Sequence, residues 1–231
     1  LEGTEVRKLA AVEDRHWWYA ERRAILAKAL AGLTPGKAVD IGAAGGGNTR
    51  VLVEHGWSAA PLEYGADGAE VANERGLPVL RADAMKIPIN DGSLDLVVAY
   101  DVLEHLEDDD RAVEEIHRCL RPGGAFLISV PADPRLWSAH DEAVGHVRRY
   151  TRPELIGLLE RHGFEIDSVV SWMVLLRPAV AWRRRSTSGS DLDDPPRLVN
   201  AALRSVVAME RVLPLGKLPG VSLVVRARRP A

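Results

Sequence analysis

Three groups of residues in this 231-residue chain have the types and spacing to do chemistry. The first is Asp40 followed by a glycine-rich run containing Gly42, Ala44, Gly46 and Gly47, with Glu63 closing the next short apolar run. An acid at a strand end, a turn short of side chains and a second acid outline a nucleotide pocket. Backbone can approach the ligand, and a carboxylate can accept hydrogen bonds from both ribose hydroxyls. The second group is Asp83-Ala84, where a carboxylate placed on an exocyclic amine and a backbone N–H placed on a ring nitrogen would read an adenine edge. The third runs from Trp137 to Tyr150 and holds His140, Asp141, His146 and Arg148. An imidazole oriented by a carboxylate can take a proton from a hydroxyl near neutral pH, so His140 or His146, with Asp141, is the expected base. Trp137, Arg148 and Tyr150 are expected to contact an acceptor, as is His105 at the end of an earlier strand. The alternative is a polar loop whose arginines pair with nearby acids. His140, Asp141 and His146 match no recognised ligand register, and no metal site is expected from them.

The elements that must position these groups alternate between strand length and helix length, the pattern of βα units feeding a parallel sheet. The expected strands are 38–41, 59–63, 79–81, 94–100, 126–130, 166–172 and 221–225. The expected helices are 17–31, 48–55, 68–74 and 109–120, with another opened by the capping box Thr151-Arg152-Pro153-Glu154 and ended at Gly163. The fold class is therefore α/β, a Rossmann-like, doubly wound, seven-stranded and mostly parallel sheet with helices on both faces. Residues 1–35 are expected to form a helical lid. Residues 36–231 form the main domain, with a helical cap inserted at about 173–220 before the last strand. That insertion contains a polar stretch, 186–194, expected to be mobile.

Composition limits the setting. A formal charge of −3 gives no general basic signal, so no nucleic-acid partner is expected. The charge is uneven: residues 172–231 hold 11 Lys/Arg and 4 Asp/Glu, or +7, which leaves −10 for the rest. A lone cysteine, Cys119, excludes internal disulfides and reads as buried filler. With no apolar leader at the start, a cytoplasmic location is expected. Residues 172–185, apolar with a basic end, read either as a lid or homodimer contact or as a peripheral contact with anionic lipid.

The glycine turn alone leaves the nucleotide open, being one substitution from the fingerprint of NAD enzymes and one from an S-adenosylmethionine loop. Four further segments separate them: Asp83-Ala84 with Ile87-Pro88, Asp91-Gly92-Ser93-Leu94-Asp95, Asp101-x-x-Glu104-His105, and Leu120-Arg121-Pro122-Gly123-Gly124. In this order the set resembles the class I S-adenosylmethionine-dependent methyltransferases, in their small-molecule branch of methyltransferase-domain 11 type, over about residues 36–170. The resemblance implies S-adenosyl-L-methionine as cofactor and S-adenosyl-L-homocysteine as product. It assigns Asp40, Gly42, Ala44 and Gly46 to the cofactor loop, Glu63 to the ribose, Asp83 and Ala84 to adenine, and Tyr100 to the methionine moiety. Ala44 departs from the glycine many relatives have there. For Asp83 and Tyr100 the structural alternatives are a loop cap and a half-buried strand aromatic. The helix carrying Trp18, Tyr19, Arg22 and Arg23 stands where relatives place a lid, with Trp18 expected near the substrate and an arginine near the methionine carboxylate. O-methylation of a small molecule or saccharide is the expected chemistry, with N- or C-methylation, an NAD-dependent oxidoreductase and a non-catalytic binder as alternatives.

Overall fold

Successive residues of a strand face opposite sides of a sheet, so a strand buried on both faces needs apolar residues at nearly every position. The computed structural model describes Arg7, residues 10–184 and residues 195–231. In it Val39, Ile41, Val97 and Ala99 face one apolar layer, and Ala38, Leu96, Val98 and Tyr100 face the other. The described elements are α1 (Trp17–Ala29), β1 (Lys37–Ile41), α2 (Gly47–Glu54), β2 (Ser58–Glu63), α3 (Ala66–Glu74), β3 (Leu80–Arg81), β4 (Leu94–Tyr100), α4 (Asp109–Cys119), β5 (Leu120–Pro131), α5 (Ala139–Ala143), α6 (Arg152–Arg161), β6 (Glu165–Trp172), α7 (Arg177–Arg183), α8 (Arg197–Glu210) and β7 (Ser222–Arg228).

The seven strands form one sheet in the order β3-β2-β1-β4-β5-β7-β6. Neighbours from β3 to β5 are parallel, and β7 runs antiparallel to both β5 and β6. The strand order reverses between β1 and β4, the switch point at which open α/β sheets leave a crevice outside the carboxyl ends. Helices α4 and α6 cover one face through Ile116, Leu155 and Leu159. Helices α1 and α2 cover the other through Leu26 and Leu52, both fully buried. Each such side chain contributes about 1.5–3 kcal/mol. Thr151 and Glu154 make the expected capping box, with Thr151 N donating to Glu154 Oε2 at 2.8 Å.

Two boundaries differ from the sequence pattern. Strand β5 begins at Leu120, six residues before the apolar run, because the glycine pair stays bonded to the C-terminal segment. Gly123 N donates to Arg229 O at 2.8 Å and Arg229 N to Gly124 O at 2.9 Å, with Gly123 at φ +76°. The helical cap expected from about 173 does not start as helix until α7 at Arg177. Met173 takes φ +57°, and the buried Glu210 carboxylate accepts Val174 N at 3.0 Å and Leu175 N at 3.2 Å. The polar stretch 186–194 lies outside the described residues.

The N-terminal helix and the late insertion pack together. Trp17 N donates to Asn200 Oδ1 at 2.8 Å, Arg211 pairs with Glu21 at 2.9 Å, and the Trp18 and Trp172 ring centres are 6.0 Å apart. Leu136, Trp172, Met173 and Val221 form the small apolar cluster on which Trp17, Trp18 and Leu176 sit. Among the described residues no helix is long and apolar enough to cross a membrane.

Cys119 lies at the end of α4 with no exposed surface, and burial pushes its thiol up to about 11. Native protein is therefore expected to resist iodoacetamide at pH 8 and to be alkylated only after unfolding. Mass spectrometry before and after denaturant checks this, and rapid native labelling would contradict the packing.

Candidate active site

Strand β1 delivers Asp40 to the switch point on the face packed by α2. Its Oδ2 accepts the Thr49 hydroxyl at 2.7 Å, while the buried Oδ1 has no partner among the described residues. Burial pushes this carboxyl up to about 7, against the hydrogen bonds from Thr49. The turn that follows needs a left-handed backbone at Gly42 (φ +65°), Ala44 (φ +46°) and Gly46 (φ +78°). At Gly42 a Cβ would stand 2.6 Å from Val102 Cγ2, so close approach as well as conformation requires glycine there. Glu63, at the end of β2, accepts Ala44 N at 2.7 Å and Gly65 N at 2.9 Å, which ties the glycine turn to the neighbouring strand. Asp83 caps its own loop by accepting Met85 N at 2.8 Å, and Ala84 beside it is buried. These residues fit the expected cofactor. The unpartnered Asp40 oxygen, the loop amides and the Glu63 carboxylate all lie along the carboxyl ends of β1 and β2.

Residues 10–14 cover this turn, an arrangement for which the sequence carries no local signal. Glu13 is buried and pairs with Arg75 and Arg50, and a Cβ on Gly47 would stand 2.5 Å from Glu13 Oε2. Arg75 also donates to the carbonyls of Gly45 and Ala10.

The ends of β4 and β5 form the adjoining half of the crevice. Arg22, almost fully buried, reaches in from α1 to bond Asp101 and Ser129, and its guanidinium lies 4.7 Å from the Tyr100 ring centre. It is also 5.0 Å from the Trp18 ring and 5.5 Å from that of Trp172. The Tyr100 hydroxyl is buried without a partner among the described residues. Asp101 takes φ +59°, a conformation costly for a residue with a side chain, and burial raises its pKa against the pull of Arg22 and His146. The companion Arg23 turns away to the Glu13 carbonyl at 2.8 Å.

A second group stands beside Asp101. A single 3-10 turn, Leu103–His105, follows β4 and presents Glu104 and His105 together. The loop after β5 brings His146 onto them, with ring centres of His105 and His146 4.8 Å apart. His146 Nδ1 is 2.8 Å from Asp141 Oδ1, and its Nε2 is 3.8 Å from Glu104 Oε1. Asp141 has no exposed surface. Burial opposes its charge, but His146 and Arg149 (Nε at 2.8 Å, Nη2 at 2.7 Å) hold its pKa well below the usual carboxylate range. Glu104 is equally buried and unlike Asp141 has no hydrogen-bond partner on either oxygen among the described residues, so burial, aided by Asp101, raises its pKa well above the ordinary value. His105 bonds Gly145 O at 3.1 Å through Nδ1, and burial with the nearby His146 pushes its pKa down to about 4.

The remaining residues singled out by sequence fall elsewhere. The His140 ring is 6.4 Å from that of His146. Trp137 is partly exposed, with its indole N–H donating to Glu142 at 3.4 Å. Arg148 pairs with Asp109 and donates to Glu107 O at 2.8 Å. Tyr150 is buried, its hydroxyl donating to Asp109 Oδ2 at 2.6 Å. Arg148 and Tyr150 thus fasten the loop to the start of α4 and are not brought to the histidines. Trp18 packs between Tyr19, Arg22 and Trp172. Arg22 and Glu104 were legible only as members of motifs, because their burial depends on which elements meet.

Residues 39–128 match the family model described as a methyltransferase domain. A probable S-adenosylmethionine-dependent methyltransferase of Mycolicibacterium smegmatis is 29% identical over 174 residues, which cover 72% of this chain and 66% of that protein. The chain thus spans just under two thirds of that relative's length. The ubiquinone biosynthesis O-methyltransferase of Pseudomonas aeruginosa is 25% identical, over 74% of this chain and 86% of that one. Among solved structures, an S-adenosylmethionine dependent methyltransferase from Mesorhizobium loti superposes with a TM-score of 0.64 at 22% identity, covering 94% of this chain and all of that one.

The Asp40 carboxyl gives this site a pH signature. A carboxyl at about 7 in the fold binds its proton more tightly than the same group at about 4 in the unfolded chain. Its contribution is therefore full below about pH 4, declines as the pH rises to about 7, and is flat above. The decline amounts to roughly 4 kcal/mol at most. Asp40→Asn should remove it, so that unfolding in guanidinium at about pH 4.5 and at about pH 8 differs less for the variant than for the parent. An equal difference in both proteins would contradict the buried, unpaired carboxyl.

Proposed function

Because the chain belongs to the class I S-adenosylmethionine-dependent methyltransferases, we propose that it methylates a hydroxyl of a small-molecule or saccharide acceptor. When bound, S-adenosyl-L-methionine supplies a methyl group already activated by its sulfonium. The protein's task is then to hold the acceptor in line, exclude water and take up a proton. Glu63 and the Ala44 amide, now bonded to each other, are the groups that the ribose and the loop contacts would use. Asp83 and Ala84 flank the adenine position. Tyr100 and Arg22 close the methionine end, with the layer of α1, α7 and α8 over it.

The observation that carries the hydroxyl reading is the Asp141–His146 pair at the carboxyl edge, beside Asp101 at the end of β4. Asp141 fixes the imidazole through Nδ1, so Nε2 faces the Glu104 side of the crevice, and a proton taken there leaves an imidazolium between two carboxyl groups. His146 is preferred to His140 as the group that meets this proton, since Asp141 holds it directly. The similarity to an O-methyltransferase of ubiquinone biosynthesis points the same way.

Titration calorimetry should show binding of S-adenosyl-L-homocysteine and none of NAD. Glu63→Ala should weaken that binding about tenfold to a hundredfold, or roughly 1.4–2.8 kcal/mol. His146→Ala should leave it intact while lowering turnover of a hydroxyl acceptor about 100-fold or more. Binding of NAD in place of S-adenosyl-L-homocysteine would overturn the reading, and inertness across hydroxyl acceptors would overturn the acceptor class.

The insertion exposes Trp182, Leu198 and Val212, at 75%, 85% and 82% exposure, and also exposes Arg197, Arg204 and Lys217. Exposed apolar side chains among basic ones suit a peripheral contact with anionic lipid. The protein should co-float with phosphatidylglycerol vesicles at low salt and lose this on Trp182→Ser with Leu198→Ser. A concentration-dependent dimer that ignores vesicles would assign the face to a second copy.

A further inference from the structure

Glu104, His105 and His146 each offer a ligand atom, and these atoms lie within 4.8 Å of one another. We propose that they bind a divalent first-row transition cation. The inference deepens the methyl-transfer reading above and rests on it for the cation's use, but not for its binding.

The first observation is Glu104. It has no exposed surface, and neither carboxylate oxygen meets a hydrogen-bond donor among the described residues. An acid buried without partners costs several kcal/mol, and such groups in native proteins call for an explanation such as an ion. His146 Nε2, at 3.8 Å from Oε1, is too far to be that partner directly.

The second, independent observation is how the two imidazoles are held. A histidine that ligates a metal through one ring nitrogen almost always donates its other N–H to a carboxylate or a backbone carbonyl. Both histidines have such acceptors. His146 Nδ1 faces Asp141 Oδ1 at 2.8 Å, and His105 Nδ1 faces Gly145 O at 3.1 Å. Each Nε2 is thereby left as the acceptor nitrogen. The support extends one layer further, since Asp141 is itself fixed by Arg149 and by Ser138 N at 3.0 Å.

The donor set selects the ion. Two imidazoles and one carboxylate suit manganese, iron, cobalt or zinc, whereas magnesium and calcium favour all-oxygen sites. Three protein ligands leave positions open for water or an acceptor oxygen. With the cation bound, His146 Nε2 would be a ligand and no longer the base; the cation would hold the acceptor oxygen as a Lewis acid and a hydroxide in another open position would take the hydroxyl proton, which favours acceptors offering an oxygen ligand. The set is not His140, Asp141 and His146, whose spacing matches no ligand register: Asp141 serves as support for His146, and Glu104 comes from the turn after β4.

The test uses the full chain, stripped with a chelator and titrated with manganese(II), followed by the loss of the free-ion signal in electron paramagnetic resonance. Cobalt(II) absorption provides a second readout on the unmutated protein. One equivalent should bind. Glu104→Gln and His146→Ala should weaken binding at least tenfold, Asp141→Asn about tenfold to a hundredfold, and His162→Ala, at an exposed ion pair with Asp110, should change nothing. Absence of stoichiometric binding and of cobalt ligand-field bands in the unmutated protein would overturn the site, as would binding indifferent to Glu104→Gln and His146→Ala. S-adenosyl-L-homocysteine binding is measured in the same stripped protein. If it persists while cations fail to bind, the cation site alone is lost; if cations bind and it does not, the methyl-transfer reading is lost instead.

Discussion

Asp141 has no exposed surface, and its charge survives in the fold because Ser138, His146 and Arg149 converge on it. A carboxylate held this way is expensive to disturb: removing one partner of a buried pair costs about 3–5 kcal/mol, since the charge left behind remains out of water. The loop from Trp137 to Tyr150 therefore has one arrangement in which its charges are satisfied. That arrangement sets the ring plane of His146 and, through the Glu104 carbonyl that accepts Val147 N at 2.8 Å, the seat of the loop against the turn after β4. Arg148 and Tyr150 add a second fastening at Asp109. The loop is a rigid shelf, and the chemistry available at its inner edge follows from that rigidity.

Arg22 plays the corresponding part at the ends of β4 and β5. Its guanidinium joins the N-terminal helix to the ends of β4 and β5 while three aromatic rings shield it. A charge so enclosed couples the position of α1 to the crevice: α1 cannot lift without uncovering Asp101 and separating the guanidinium from Tyr100 and Trp172. The insertion is carried along, since Asn200 and Arg211 bind it to α1. Placement of α1 and placement of the late helices are in this sense one event.

Much of this was legible in the chain. Apolar runs with few polar interruptions announced strands buried on both faces, Thr151 and Glu154 announced a helix start, and the glycines after Asp40 announced a turn that side chains could not make. Strand β5 is expected from Phe126 yet begins at Leu120, since the backbone bonds to Arg229 that keep Gly123 and Gly124 in the sheet come from a residue more than a hundred positions away. Arg148 and Tyr150 looked like acceptor contacts because arginine and tyrosine so often are, and nothing local showed that Asp109 would claim both.

By itself the sequence determined the periodicity, the caps, the glycine turn and the ordered motifs, all of which depend on residues a few positions apart. Those carry the fold class, the likeness to methyltransferases and the glycine turn with its two acids. Only the tertiary structure decided which acids were buried with partners and which without. Glu104 and Asp141 are both carboxylates in polar segments, yet Asp141 is surrounded by donors and Glu104, among the described residues, meets none. The difference arises because desolvation and pairing are set by whichever elements the fold brings together, and β4 and the loop after β5 meet only once the sheet has formed.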